Sequence, residues 1–143
     1  MRKIYIFTLL TVILTAAAIS VNAGEVLESD INNDGEIDGW TYLLDSGKLD
    51  KQEIDMNFDG EVDSVYIYEP NGKIREEILD TDNDGRMDNW RMYKDGNLVL
   101  DKVDSDHDGK VDIWFHVDRS RIFKIERDTT GDGKPDKAIE YNQ

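Results

Sequence analysis

Five nine-residue stretches carry the chemistry that this chain can do: "DINNDGEID" from Asp30, "DMNFDGEVD" from Asp55, "DTDNDGRMD" from Asp80, "DSDHDGKVD" from Asp104 and "DTTGDGKPD" from Asp128. Each has Asp at places one, five and nine, Gly at place six, and Asp, Asn or Thr at place three. The chain already has a formal charge of -15. Crowding carboxylates costs free energy unless a positive charge comes between them. Calcium is a hard cation that takes six to eight oxygens, so a loop that holds it must present several oxygens to one point. A tight curl can turn places one, three and five inward, and glycine at place six permits that curl. Place seven then offers its backbone carbonyl. The residues found there, Glu36, Glu61, Arg86, Lys110 and Lys134, mix acids with bases, as a backbone role allows.

The candidate side-chain ligands are therefore Asp30, Asn32 and Asp34; Asp55, Asn57 and Asp59; Asp80, Asp82 and Asp84; Asp104, Asp106 and Asp108; and Asp128, Thr130 and Asp132. Magnesium fits less well, because it keeps its waters and seldom uses a protein cage. The plainer alternative is five Asx-type turns on a solvated acidic face. That alternative does not require the ninth Asp in all five copies.

The first six places resemble the start of an EF-hand loop. The likeness stops at place twelve, where an EF-hand has a bidentate Glu and this chain has Thr41, Tyr66, Arg91, Phe115 and Ile139. The flanking segments also read as strands and not as helices. The full pattern D-x-[D/N/T]-x-D-G-x-x-D between strands is similar to the calcium loops of FG-GAP and VCBS-type repeats. That resemblance covers the five loops. It implies ligation by the place-seven carbonyl and by the ninth-place side chains Asp38, Asp63, Asp88, Asp112 and Asp136. The third and fourth loops carry four carboxylates each, so they are expected to bind most tightly.

The loops must be positioned by what lies between them. Their starts are 25, 25, 24 and 24 residues apart, a repeat period. After each ninth Asp comes a strand-like run rich in aromatic and β-branched residues: "GWTYLL", "SVYIY", "NWRMY", "IWFHV" and "KAIEY". Turns follow at "DSGK", "EPNG", "KDGN" and "DRSR", the last without glycine. The chain returns through "KLDKQEI", "KIREEIL", "NLVLDKV" and "RIFKIER". These features predict an all-β fold, an antiparallel meander of about five hairpin repeats, with acidic loops at one end and glycine turns at the other. Trp40, Val65, Trp90, Trp114 and Ala138 share a strand face with Tyr42, Ile67, Met92, His116 and Glu140. This ladder is expected to form core layers between neighbouring hairpins, with the fifth unit as a solvated cap.

Residues 1–23 open with Met-Arg-Lys, continue through an uncharged apolar run, and end on the small-residue exit Val21-Asn22-Ala23. This describes a secretory signal peptide cleaved after Ala23, leaving residues 24–143 as one domain. The remaining chain has 15 basic and 32 acidic side chains, a net charge of -17, which repels nucleic acid and anionic lipid. No cysteine is present to brace it. His107 and His116 offer no zinc spacing, and no nucleophile–base arrangement stands out. His107 is expected to face solvent and His116 to pack. The expected function is that of an exported, secreted or periplasmic, non-enzymatic calcium-binding protein whose fold the ion stabilises. The alternative is a surface module that binds glycan or protein on a calcium-stiffened β scaffold.

Overall fold

A computed structural model describes residues 24–141; the signal-peptide expectation concerns residues outside that range. The described residues form ten strands: β1 (Val26–Ser29), β2 (Gly39–Leu43), β3 (Leu49–Ile54), β4 (Ser64–Tyr68), β5 (Ile74–Leu79), β6 (Asn89–Lys94), β7 (Asn97–Val103), β8 (Ile113–Asp118), β9 (Arg121–Arg127) and β10 (Lys137–Glu140). They pair antiparallel in strict chain order as one open sheet, with β1 and β10 at its edges. The all-β meander is therefore observed. Acidic loops join each odd strand to the next even one, and short turns join each even strand to the next odd one.

The turns follow their residue chemistry. In "LDSGK" the amide of Gly47 donates to the carbonyl of Leu44, and the amide of Leu44 to the carbonyl of Lys48, both at 2.8 Å. "EPNGK" repeats this with Glu69, Gly72 and Lys73. Both glycines have positive φ, +74° and +84°, the left-handed place that closes such a hairpin. The other two turns have two residues each. Asp95-Gly96 has φ of 55° and 85°, the pattern of a type I′ turn. Arg119-Ser120 adopts the same sign, 48° and 63°, without a glycine. Beyond every turn the ladder slips by one residue, at Tyr42/Leu43, Ile67/Tyr68, Met92/Tyr93 and His116/Val117. These bulges recur at one register and increase local twist.

The expected core layers do not form. The sheet is a single layer, and among the described residues no hydrophobic side chain is buried. Trp40, Trp90 and Trp114 do share a face, but each is only half-buried. The reason lies in the odd strands, which interleave charge into the ladder. Trp40 pairs with Glu53, Trp90 with Lys102, and Trp114 with Glu126. These charges bond along the face: the Tyr42 hydroxyl donates to Glu53 at 2.6 Å, and Lys124 pairs with Glu126 at 2.7 Å. His116, expected only to pack, also bonds Glu126 at 2.7 Å and tilts against the Phe123 ring. On the opposite face the Tyr93 hydroxyl donates to Glu77 at 2.8 Å. Burial, and then that bond, push its phenol up to about 12. A further strand, β1, precedes the first loop, outside the strand runs expected from the sequence. Like β10, it is exposed along its whole length.

The turn without glycine yields a direct test. Holding two ordinary L-residues at positive φ costs roughly 1–2 kcal/mol each, partly offset by glycine's larger unfolded-state entropy. Replacing Arg119-Ser120 by Asn-Gly is expected to stabilise the sheet by about 1 kcal/mol. Urea unfolding checks this: the midpoint should rise with the slope unchanged.

Candidate functional site

All five acidic loops share one hydrogen-bond pattern, and it is built by the aspartates. The place-one carboxylate accepts from the place-six glycine amide: Gly35 to Asp30, Gly60 to Asp55, Gly85 to Asp80, Gly109 to Asp104 and Gly133 to Asp128, at 2.5–2.9 Å. Four of these glycines, Gly35, Gly60, Gly85 and Gly109, have φ between +84° and +100°. The place-five carboxylate accepts from the place-seven amide in every loop: Glu36, Glu61, Arg86, Lys110 and Lys134 donate to Asp34, Asp59, Asp84, Asp108 and Asp132. The place-nine carboxylate accepts from the place-two amide, as Ile31 to Asp38, Met56 to Asp63, Thr81 to Asp88, Ser105 to Asp112 and Thr129 to Asp136. Place four has positive φ throughout, at Asn33, Phe58, Asn83, His107 and Gly131. No ligand role is expected of that place, yet four of its five occupants, Asn33, Asn83, His107 and Gly131, are residue types that favour or tolerate the left-handed region.

Which predicted ligands meet? Asp80, Asp82 and Asp84 converge with carboxylate oxygens within 4.8 Å of one another, and so do Asp104, Asp106 and Asp108. These are places one, three and five of the two loops with four carboxylates. In the other loops Asn32, Asn57 and Thr130 put a neutral oxygen at place three; Asn32 and Asn57 accept the place-five amide there at 2.8 and 2.9 Å. The ninth-place aspartates do not join these clusters. Asp88 instead lies within 4.8 Å of Asp82 and His107. In loop four, Asp104 is 3% exposed, and its Oδ1 is buried with no hydrogen-bond partner.

The loops stand side by side, and their contacts add to one expectation and correct another. The place-one amide of each later loop donates to the place-nine carbonyl of the loop before it: Asp55 to Asp38, Asp80 to Asp63, Asp104 to Asp88 and Asp128 to Asp112, each at 2.8 Å. His107 is exposed, as expected, and its Nδ1 also lies 3.3 Å from Asp82 of the preceding loop. Place seven is not indifferent to its side chain in the second and fourth loops. Lys110 Nζ donates to the Gly131 carbonyl of the next loop at 2.6 Å. The Glu61 carboxylate lies over Gly85, where a Cβ would collide with it. Long side chains of either sign can span the gap between loops, so the mixture of acid and base hid the role.

The electrostatics reflect these bonds. For Asp128, burial works to raise the carboxyl. Amide bonds from Thr130 and Gly133, with the Thr130 hydroxyl and Gly131 amide, outweigh it and hold the group down at about 2. Asp80 is lowered in the same way, against burial, by the amides of Gly85, Asn83, Asp84 and Asp82. Asp34 is lowered by the Glu36 amide and then the Asn32 side chain.

No protein-family model matches the chain, and no curated protein matches it. Among solved structures it is similar, at 13% identity and a TM-score of 0.41, to a chain of accessory secretory protein 1,2 and 3 in Streptococcus pneumoniae. The match covers 76% of this chain and 19% of that one.

A carboxyl whose folded value lies below its unfolded value stabilises the fold above the unfolded value and loses that contribution as pH falls through the folded one. Asp128 should therefore stabilise the last loop above about pH 4 and cease to do so near pH 2. Asp128→Asn is expected to flatten the pH dependence of the thermal midpoint between those limits and leave its slope above pH 5 unchanged. Circular dichroism melts across that range check it.

Proposed function

We propose that this chain is an exported, non-enzymatic protein that binds calcium through its five loops, and that the bound ions fix the sheet. The observation that carries the proposal is loop four. Three carboxylates converge there, and a buried oxygen of Asp104 has no protein donor. A buried, unpaired carboxylate oxygen costs several kcal/mol unless a proton, water or cation satisfies it. The cluster is all oxygen, the donor set of a hard dication, and it has no thiolate to favour a softer one.

The backbone pattern explains how the loops would be ready for an ion. Amides of places six and seven hold the place-one and place-five carboxylates in position before any ion arrives, which lowers the ordering cost of binding. Asp80, Asp82 and Asp84 would hold one ion and Asp104, Asp106 and Asp108 another. The three loops with a neutral third-place oxygen would bind more weakly. Five dications would bring the net charge of residues 24–143 from -17 to -7. Ion binding would then be linked to folding, as at many metal sites.

Calorimetric titration with calcium is expected to give close to five sites, the two tightest in the third and fourth loops. Two or fewer sites at millimolar calcium would reduce the loops to turns. Each site saturated a hundredfold above its Kd adds about 2.7 kcal/mol, against a total of about 5–15 kcal/mol for a domain of this size. The thermal midpoint should thus fall sharply in chelator, and equal midpoints with and without chelator would refute the coupling. Asp104→Asn should weaken the loop-four site at least tenfold. In chelator the same variant should melt no lower than wild type, because the amide removes a buried unpaired charge.

A further inference from the structure

We propose that copies of this chain join edge to edge, β10 of one against β1 of the next, in the register that the turn-linked strand pairs already use. Among the described residues, β1 and β10 each have a neighbour on one side only. In a ten-stranded meander they run in opposite directions. A copy displaced along the sheet therefore presents its β1 antiparallel to β10.

The four in-chain pairs of the same kind define one register. The residue two past a ninth-place Asp faces the residue two before the next first-place Asp: Trp40 faces Glu53, Val65 faces Ile78, Trp90 faces Lys102 and Trp114 faces Glu126. Applied to the free edges, this rule sets Ala138 opposite Glu28, Ile139 opposite Leu27 and Glu140 opposite Val26. It also sets the Asp30 amide of the next copy on the Asp136 carbonyl, the bond made four times within the chain.

The backbone donors are in the matching phase. Tyr141 donates its amide to Phe123, and Ile139 pairs with Ile125. In an antiparallel ladder the inward amides alternate, so those of Ala138 and Glu140 face the free edge. Leu43 donates to Glu25, and Leu27 pairs with Thr41, so Val26 and Glu28 face outward on β1. The proposed register needs those four amides.

Side chains and loops point the same way. Leu27 is 48% exposed and Ile139 54%, and the register places them together. Asp55, Asp80, Asp104 and Asp128, each beside a preceding loop, are buried, whereas Asp30 is only half-buried. Asp136, which has no loop after it among the described residues, is exposed. A second copy supplies both missing neighbours, and Lys134 holds the place from which Lys110 reaches the following loop. Such a contact joins two different surfaces and leaves both ends open, so it propagates. The chain's net negative charge opposes it, and salt or a dication relieves that opposition.

Sedimentation of the purified protein over a range of concentrations tests this, in millimolar calcium and separately in calcium-free molar sodium chloride. The salt arm separates edge pairing from ion binding. The wild-type mass should grow with concentration in both solutions. Ala138→Pro and Glu28→Pro each remove one outward amide, a change an edge strand tolerates. Each should weaken association at least tenfold while keeping the wild-type circular dichroism spectrum. Mixed in equal amounts, the two variants retain one good edge apiece and should stop at dimers. A wild-type mass that stays at one chain in both solutions overturns the proposal, as does growth of Ala138→Pro equal to wild type.

Discussion

A carboxylate accepting backbone amides is the interaction on which this structure depends. Most folds bury a hydrophobic face between two layers. Among the described residues there is one layer, and their buried side chains are Asp38, Asp55, Asp63, Asp80, Asp88, Asp104 and Asp128 with Ser64 and Asn89. What is sealed from water lies at the loop end of the sheet, and it is almost all negative. Hydrogen bonds to charged groups contribute about 1.5–3 kcal/mol each, so a loop with three such aspartates can be rigid without apolar filling. The cost is electrostatic. Each interior loop brings its buried place-one group beside the place-nine group of the loop before, joined through backbone at 2.8 Å.

The remaining ties bind repeat to repeat. At the turn end, Lys48 donates to the Pro70 carbonyl and Lys73 to the Asp95 carbonyl, both at 2.9 Å. At the loop end, Lys110 and His107 reach across in the same manner. Between these rows, both faces carry half-buried aromatics separated by ion pairs and hydroxyl–carboxylate bonds. Cross-strand pairs of this kind contribute only ~0.2–1 kcal/mol each. The sheet is therefore fastened along its two rims and comparatively loose across its middle.

Much of this architecture could be read from local chemistry. The even strands, the glycine turns and the odd strands fall where β-branched runs and Asn-Gly or Asp-Gly signals place them, because those signals act within a few residues. The single layer was not legible in the same way. Trp40, Trp90 and Trp114 look like core, and only the register that sets Glu53, Lys102 and Glu126 beside them shows otherwise. Strand β1 has one repeat partner and an unremarkable sequence, "VLES". In the third and fourth loops, the convergence of carboxylates at places one, three and five was legible from spacing. The reach of His107 to Asp82 and of Lys110 to Gly131 was not, since it depends on how far apart neighbouring loops stand.

Among the described residues, every strand touches only the strands next to it in the chain. Contacts so local in sequence cost little loop-closure entropy, and chains built from them tend to fold fast. A repeat array of this kind can nucleate at any hairpin and grow toward either end. Its unfolding need not be all-or-none, because an end hairpin can open while the middle stays intact. The first and last strands, exposed on every residue, are where hydrogen exchange should begin, and the protected interior should shrink inward from them.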